Sequence, residues 1–167
     1  MKDPTPAYDP LARRFLDLCA ERGILAATAE SCTGGLIIAL LTDIPGSSSM
    51  VDRGFVTYSN DAKMEMLGVA KETLDAHGAV SQETALEMAA GALAHSHAGI
   101  ALAVTGIAGP DGGSENKPVG LVWFGVAVKG GKPQAERRIF ENRGRDFIRR
   151  ETVKTALQLG IAALSEG

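Results

Sequence analysis

Short apolar runs alternate with amphipathic segments along this chain, and no other feature limits its possible folds as much. The runs at residues 24–29, 51–58, 100–104 and 121–128 have the length and composition of buried strands. Helical patterns lie between them. Residues 10–22 place Leu11, Phe15, Leu18 and Cys19 on one helix face, and Gly23 is a natural C-cap. A second helix is predicted to open at Ser31 and to end before Pro45, because proline disfavours helical geometry in the residue ahead of it. Ser59, Asn60 and Asp61 supply cap chemistry for a helix through Leu67. Ser81, with Glu83 in the first turn, starts another from Gln82 to about His95. A closing helix is predicted over residues 146–164, and Gly130-Gly131 reads as the turn of a hairpin into a strand at 134–140. Strands interleaved with helices, plus one hairpin, predict an α/β fold: a three-layer α/β/α sandwich with a mixed β-sheet, in a single domain over residues 8–165.

Charge and hydropathy narrow the partners. Seventeen Lys and Arg against 20 Asp and Glu give a formal charge of -3, so no broad basic face for nucleic acid is expected. The longest apolar run, residues 36–41, falls far short of the ~20 residues that a spanning helix needs. Residues 1–6 lack the apolar core of a signal peptide, so no membrane partner and a cytoplasmic location are expected. Cys19 and Cys32 form no CxxC pair, which argues against a disulfide framework or a zinc site. Glycine is in excess, 20 of 167 residues, with eight falling in residues 106–131. Clustered glycine marks places where backbone conformation or close approach matters.

Four segments carry possible chemistry. Glu30-Ser31-Cys32-Thr33-Gly34-Gly35 sits where a strand hands over to a helix, a place where free N–H groups collect anions and a serine can act as nucleophile. Ser31 or Thr33 would equally serve as a plain helix cap. A serine needs a base, and histidine is poorly placed: His77 is read in a loop beside Gly78, and His95 and His97 would not share a helix face. Lysine can replace histidine. Lys63, in the first turn of its helix, is the candidate, because the helix dipole and burial both favour a neutral amine. Tyr58, at a strand end, would relay a proton or orient the site. A solvated lysine and an ordinary strand-end tyrosine are the simpler alternatives.

The loop from Thr105 and Gly106 to Gly120 follows a strand, where α/β folds place ligand loops. It matches neither a Walker A loop nor a GxGxxG fingerprint, so standard NTP or NAD binding is not indicated. Arg143 and Arg145, at the start of the closing helix, suit an anionic group such as phosphate; solvated surface arginines are the alternative.

Taken together, Glu30-Ser-Cys-Thr-Gly-Gly, Gly54-Phe-Val-Thr-Tyr-Ser-Asn, Lys63 and Thr105-Gly-Ile-Ala-Gly-Pro resemble the CinA C-terminal domain family of nicotinamide-nucleotide amidases. The resemblance runs in order from about Leu11 to Leu164, and the chain looks like the family's stand-alone form. It implies hydrolysis of nicotinamide mononucleotide to nicotinate mononucleotide and ammonia, in pyridine-nucleotide recycling. It also implies Ser31 as nucleophile, Lys63 as base and Tyr58 as assistant, with oxyanion donors at the helix start. Thr33, Gly34, Gly35, Thr105, Gly106 and Arg145 would line the substrate site. No metal or organic cofactor is implied. The expected partner is a small-molecule pyridine mononucleotide, and a homo-oligomer stays open. Two alternatives also stay open: a nucleotide-sensing or partner-binding module without turnover, and an amidohydrolase for another phosphorylated amide. Cys32 stands beside Ser31 as a rival nucleophile.

Overall fold

The computed structural model describes residues 9–166. Residues 1–8, including the segment read above for a targeting signal and the start of the expected domain, lie outside it. Six helices and five strands follow in the order α1 (Asp9–Arg22), β1 (Ala26–Glu30), α2 (Leu36–Thr42), β2 (Val51–Val56), α3 (Asn60–Leu67), α4 (Lys71–His77), α5 (Gln82–Ala94), β3 (Ile100–Gly106), β4 (Leu121–Val128), β5 (Gln134–Ile139) and α6 (Arg145–Ser165). They build the expected single-domain α/β/α sandwich. The sheet order is β2-β1-β3-β4-β5, with β1 parallel to both β2 and β3, and β4 and β5 added antiparallel.

Burial on both faces explains the near-continuous apolar reading of β3. Its Ile100, Leu102 and Val104 face a core shared with α1, α2 and α6, which includes Phe15, Leu41 and Leu157. Ala101 and Ala103 face the opposite core, where Leu67 of α3, Leu74 of α4 and Met88 of α5 pack. Small residues on that second face let α5 lie close to the sheet. A Cβ at Gly125 would overlap the Ala85 carbonyl, and one at Gly91 would overlap the Leu67 carbonyl. No helix among the described residues is long and apolar enough to cross a membrane.

The strand order positions the site. The chain leaves β1 for β2 on one side and later enters β3 on the other, so a crevice opens at the carboxyl end of β1. The ladders continue just past the strands: Ser31 N–H donates to Val104 O at 3.1 Å and Thr57 N–H donates to Glu30 O at 2.9 Å. Residues following β1, β2 and β3 therefore meet at one edge.

Three local expectations need correction. The helix after the first strand starts at Leu36, not at Ser31, because residues 31–35 form a turn with Gly34 at φ 58° and Gly35 at φ 105°. His77 is not in a loop; it ends α4, a seven-residue helix whose single buried side chain, Leu74, left no periodic stripe to read. The second strand stops at Val56, which frees Thr57 and Tyr58 to turn toward α3.

Candidate active site

Ser59 begins the construction. Its side chain accepts a hydrogen bond from Ala62 N–H at 3.0 Å, capping α3 immediately after β2. This fixes Lys63 one turn into the helix with its side chain directed inward, where only 1% of the residue is exposed. The Lys63 Nζ lies 3.0 Å from Ser31 Oγ, 2.9 Å from Thr57 O and 3.3 Å from Tyr58 O. Burial pushes the amine down from 10.5 to about 8. A neutral amine has two N–H bonds and one lone pair. As an ammonium, Lys63 donates to Ser31 Oγ; once neutral, with its two N–H bonds on the carbonyls, its lone pair would face the Ser31 hydroxyl.

Glu30 had no role assigned from sequence, yet it organises the turn that carries Ser31. The residue is fully buried. Its Oε1 accepts from Thr33 Oγ1 at 2.6 Å and Ile37 N–H at 2.8 Å; its Oε2 accepts from Ile38 N–H at 3.0 Å and Thr28 Oγ1 at 3.3 Å. The carboxylate thus caps α2, whose N-cap Gly35 has no side chain to do so. Glu30→Gln keeps the shape but replaces one acceptor oxygen with an NH2 group facing a donor. It is expected to cost about 2–4 kcal/mol, read as a lower urea midpoint at unchanged slope.

The first N–H groups of α2 are already engaged, Leu36 with Thr33 O and Ile37 and Ile38 with Glu30. The helix start therefore does not offer the donors expected from sequence. Cys32, next to the serine, lines the cavity, which makes its N–H the nearer candidate donor. The Cys32 thiol is a poor rival to Ser31, since burial pushes it up from 9.0 to about 12.

A cavity of about 280 Å3 opens over these groups, lined among others by Ser31, Cys32, Tyr58, Lys63, Thr105 and Arg145. Gly106 lines it too, whereas Thr33, Gly34 and Gly35 do not. Thr33 spends its hydroxyl on Glu30, and the two glycines shape the turn. Thr105 donates its hydroxyl to Ala79 O at 2.8 Å, tying β3 to the segment between α4 and α5. Tyr58 is 64% exposed and its hydroxyl faces Arg145 NH2 at 3.4 Å, so it reaches Lys63 through its carbonyl rather than its phenol. Arg145 NH1 also donates to Gly109 O at 2.8 Å, which anchors the glycine-rich loop. Arg143 turns away and stacks 4.6 Å over the Phe147 ring. Sequence reading also passed over Arg149, whose guanidinium holds two carbonyls of the serine turn. Its four-residue spacing from Arg145 on a helix was the available signal.

A larger hollow of about 530 Å3 lies at the far end of α5 beside the β4–β5 hairpin, but it contains none of the serine–lysine chemistry. Among the described residues, no group of three or more His, Cys, Asp or Glu side chains could hold a metal ion.

Known proteins resemble this chain in sequence and fold. The chain is 53% identical over 137 residues to nicotinamide-nucleotide amidohydrolase PncC of Escherichia coli K12, covering 82% of each. It is 52% identical over 144 residues to a putative competence-damage inducible protein of Caldicellulosiruptor bescii, covering 86% of this chain and 34% of that one. The crystal structure of competence/damage inducible protein CihA from Agrobacterium tumefaciens superposes with a TM-score of 0.93 at 52% identity, covering 98% of this chain and 99% of that one. Residues 8–164 match the CinA C-terminal domain, and the chain belongs to that family.

Proposed function

We propose that this protein hydrolyses the carboxamide of nicotinamide mononucleotide, giving nicotinate mononucleotide and ammonia and returning pyridine nucleotide to NAD synthesis. The observation that carries the reading is the 3.0 Å contact between Ser31 Oγ and a buried Lys63 amine that makes no salt bridge to a carboxylate among the described residues. The name of the Escherichia coli relative supports the substrate. Neutral Lys63 accepts the Ser31 proton as the oxygen attacks the amide carbon. Cys32 N–H stabilises the oxyanion. The lysine ammonium then protonates the leaving nitrogen, and ammonia departs. A water molecule gives its proton to the regenerated amine and attacks the ester carbon; the acid leaves and Ser31 recovers its proton.

Arg145 supplies the remote grip. It opens α6, a helix with no side-chain cap, so its guanidinium and the adjoining N–H groups together suit the 5′-phosphate. The cavity's volume, about 280 Å3, is near the small end of ligand sites and suits one nucleotide rather than two. Arg145→Ala is expected to raise KM for the mononucleotide about 10- to 100-fold, the value of a charged hydrogen bond. KM for nicotinamide riboside, which has no phosphate, should change little; equal rises would remove Arg145 from phosphate binding.

The test of the function is ammonia release from nicotinamide mononucleotide by the purified protein. Turnover, with nicotinamide riboside a weaker substrate, is expected. Thermal stabilisation by the nucleotide without ammonia would instead indicate a sensing module. Preference for another phosphorylated amide would reassign the substrate.

A further inference from the structure

We infer that Arg149 is a positioning residue, one that fixes the peptide planes of the Ser31 turn so that their carbonyls point away from the reaction space. The inference rests on the reading of Ser31 as nucleophile. Arg149 lies on α6 one turn beyond Arg145, but it does not line the cavity. Its Nε donates to Cys32 O at 3.1 Å and its NH2 donates to Thr33 O at 3.1 Å. One planar fork thereby holds two successive carbonyls.

In a trans peptide the C=O of one residue and the N–H of the next point in opposite directions. Anchoring Thr33 O to α6 sends Gly34 N–H the other way, and it does donate to Ser31 O at 3.1 Å. Anchoring Cys32 O fixes the peptide that joins the nucleophile's neighbour to Thr33 in the same manner. The turn needs such an anchor, because two successive glycines with positive φ give its backbone little steric resistance to a peptide flip. Arg149 passes beside Gly34, where a Cβ would lie 3.5 Å from NH2, an ordinary van der Waals contact; the position favours glycine through its φ of 58°. Glu30 secures the turn through the Thr33 hydroxyl and α2, but it does not hold these carbonyls. Without the fork, a rotated peptide would present carbonyl oxygen where negative charge develops on the substrate. Substrate binding through Arg145 would continue, and the chemical step would slow.

The experiment compares wild type, Arg149→Ala and Arg149→Lys as full chains. It measures kcat and KM for the mononucleotide, the Kd of nicotinate mononucleotide, and the Kd of pyridine-3-boronic acid, which forms a tetrahedral adduct with a serine hydroxyl. Arg149→Ala is expected to lose about 100-fold in kcat, as when an oxyanion donor is lost. Boronate affinity should fall with it, while KM and product Kd stay within about threefold. Millimolar guanidinium should restore part of the activity. Arg149→Lys keeps the stem and charge but not the fork, so it should fold and show the same split. Unchanged kcat and boronate affinity in both variants would overturn the inference, as would a loss shared equally by product binding. Absence of any boronate adduct at Ser31 in wild type is a different result, one that removes the serine reading and this inference together.

Discussion

Ser31→Ala is expected to abolish ammonia release, with kcat falling by about 10⁴-fold or more, the usual consequence of deleting a covalent nucleophile. Nicotinate mononucleotide should still bind, because Arg145 and the rest of the cavity wall are untouched. The alternative nucleophile makes the opposite prediction. Cys32 lies one residue away and lines the same cavity, but burial holds its thiol near 12, so it is protonated at neutral pH. Cys32→Ala is therefore expected to keep most of the activity, and iodoacetamide to leave the wild type working. An active Ser31→Ala with an inactive Cys32→Ala would exchange the two roles.

Lys63→Met carries the second large effect, a loss of about 10²- to 10⁴-fold in kcat, the range of a positioned general base. Methionine matches the lysine stem in length, so the change removes the amine while filling its channel. The pH profile tests the same group independently. Only the neutral amine accepts the serine proton, and burial sets its midpoint at about 8, below the ordinary 10.5. Activity should therefore rise with pH through about 8 and level off above it, the direction required of a base. In Lys63→Met the residual activity should lose that rise. A wild-type profile that falls between pH 7 and 9 would assign Lys63 to a charged role instead.

Much of this site was legible in the sequence because local signals wrote it. Ser59 followed by Asn60 and Asp61 marks the start of α3, and that start alone puts Lys63 one turn in. The apolar runs around β1 and β3 place Ser31 and Thr105 at strand ends, and parallel pairing brings those ends together. Long-range contacts were not legible. The start of α2 depends on Glu30, whose bonds to Ile37 and Ile38 cross a turn that local capping rules do not describe. Tyr58 reads as a phenol with a proton to move, yet it meets Lys63 through its backbone. Arg143 and Arg145 read as one cationic pair, but only the fold separates a ring stack from a cavity wall, and only the fold shows that Arg149 is a backbone anchor.

The amide's acyl group is expected to pass through an ester on Ser31. Acid-quenching the wild type within its first turnovers, followed by intact-mass measurement and peptide mapping, reads that directly. The predicted result is a nicotinate mononucleotide ester on the peptide that contains Ser31, absent in Ser31→Ala and growing before steady-state ammonia release sets in. An adduct on Cys32, or steady turnover with no acyl-enzyme at any quench time, would contradict it.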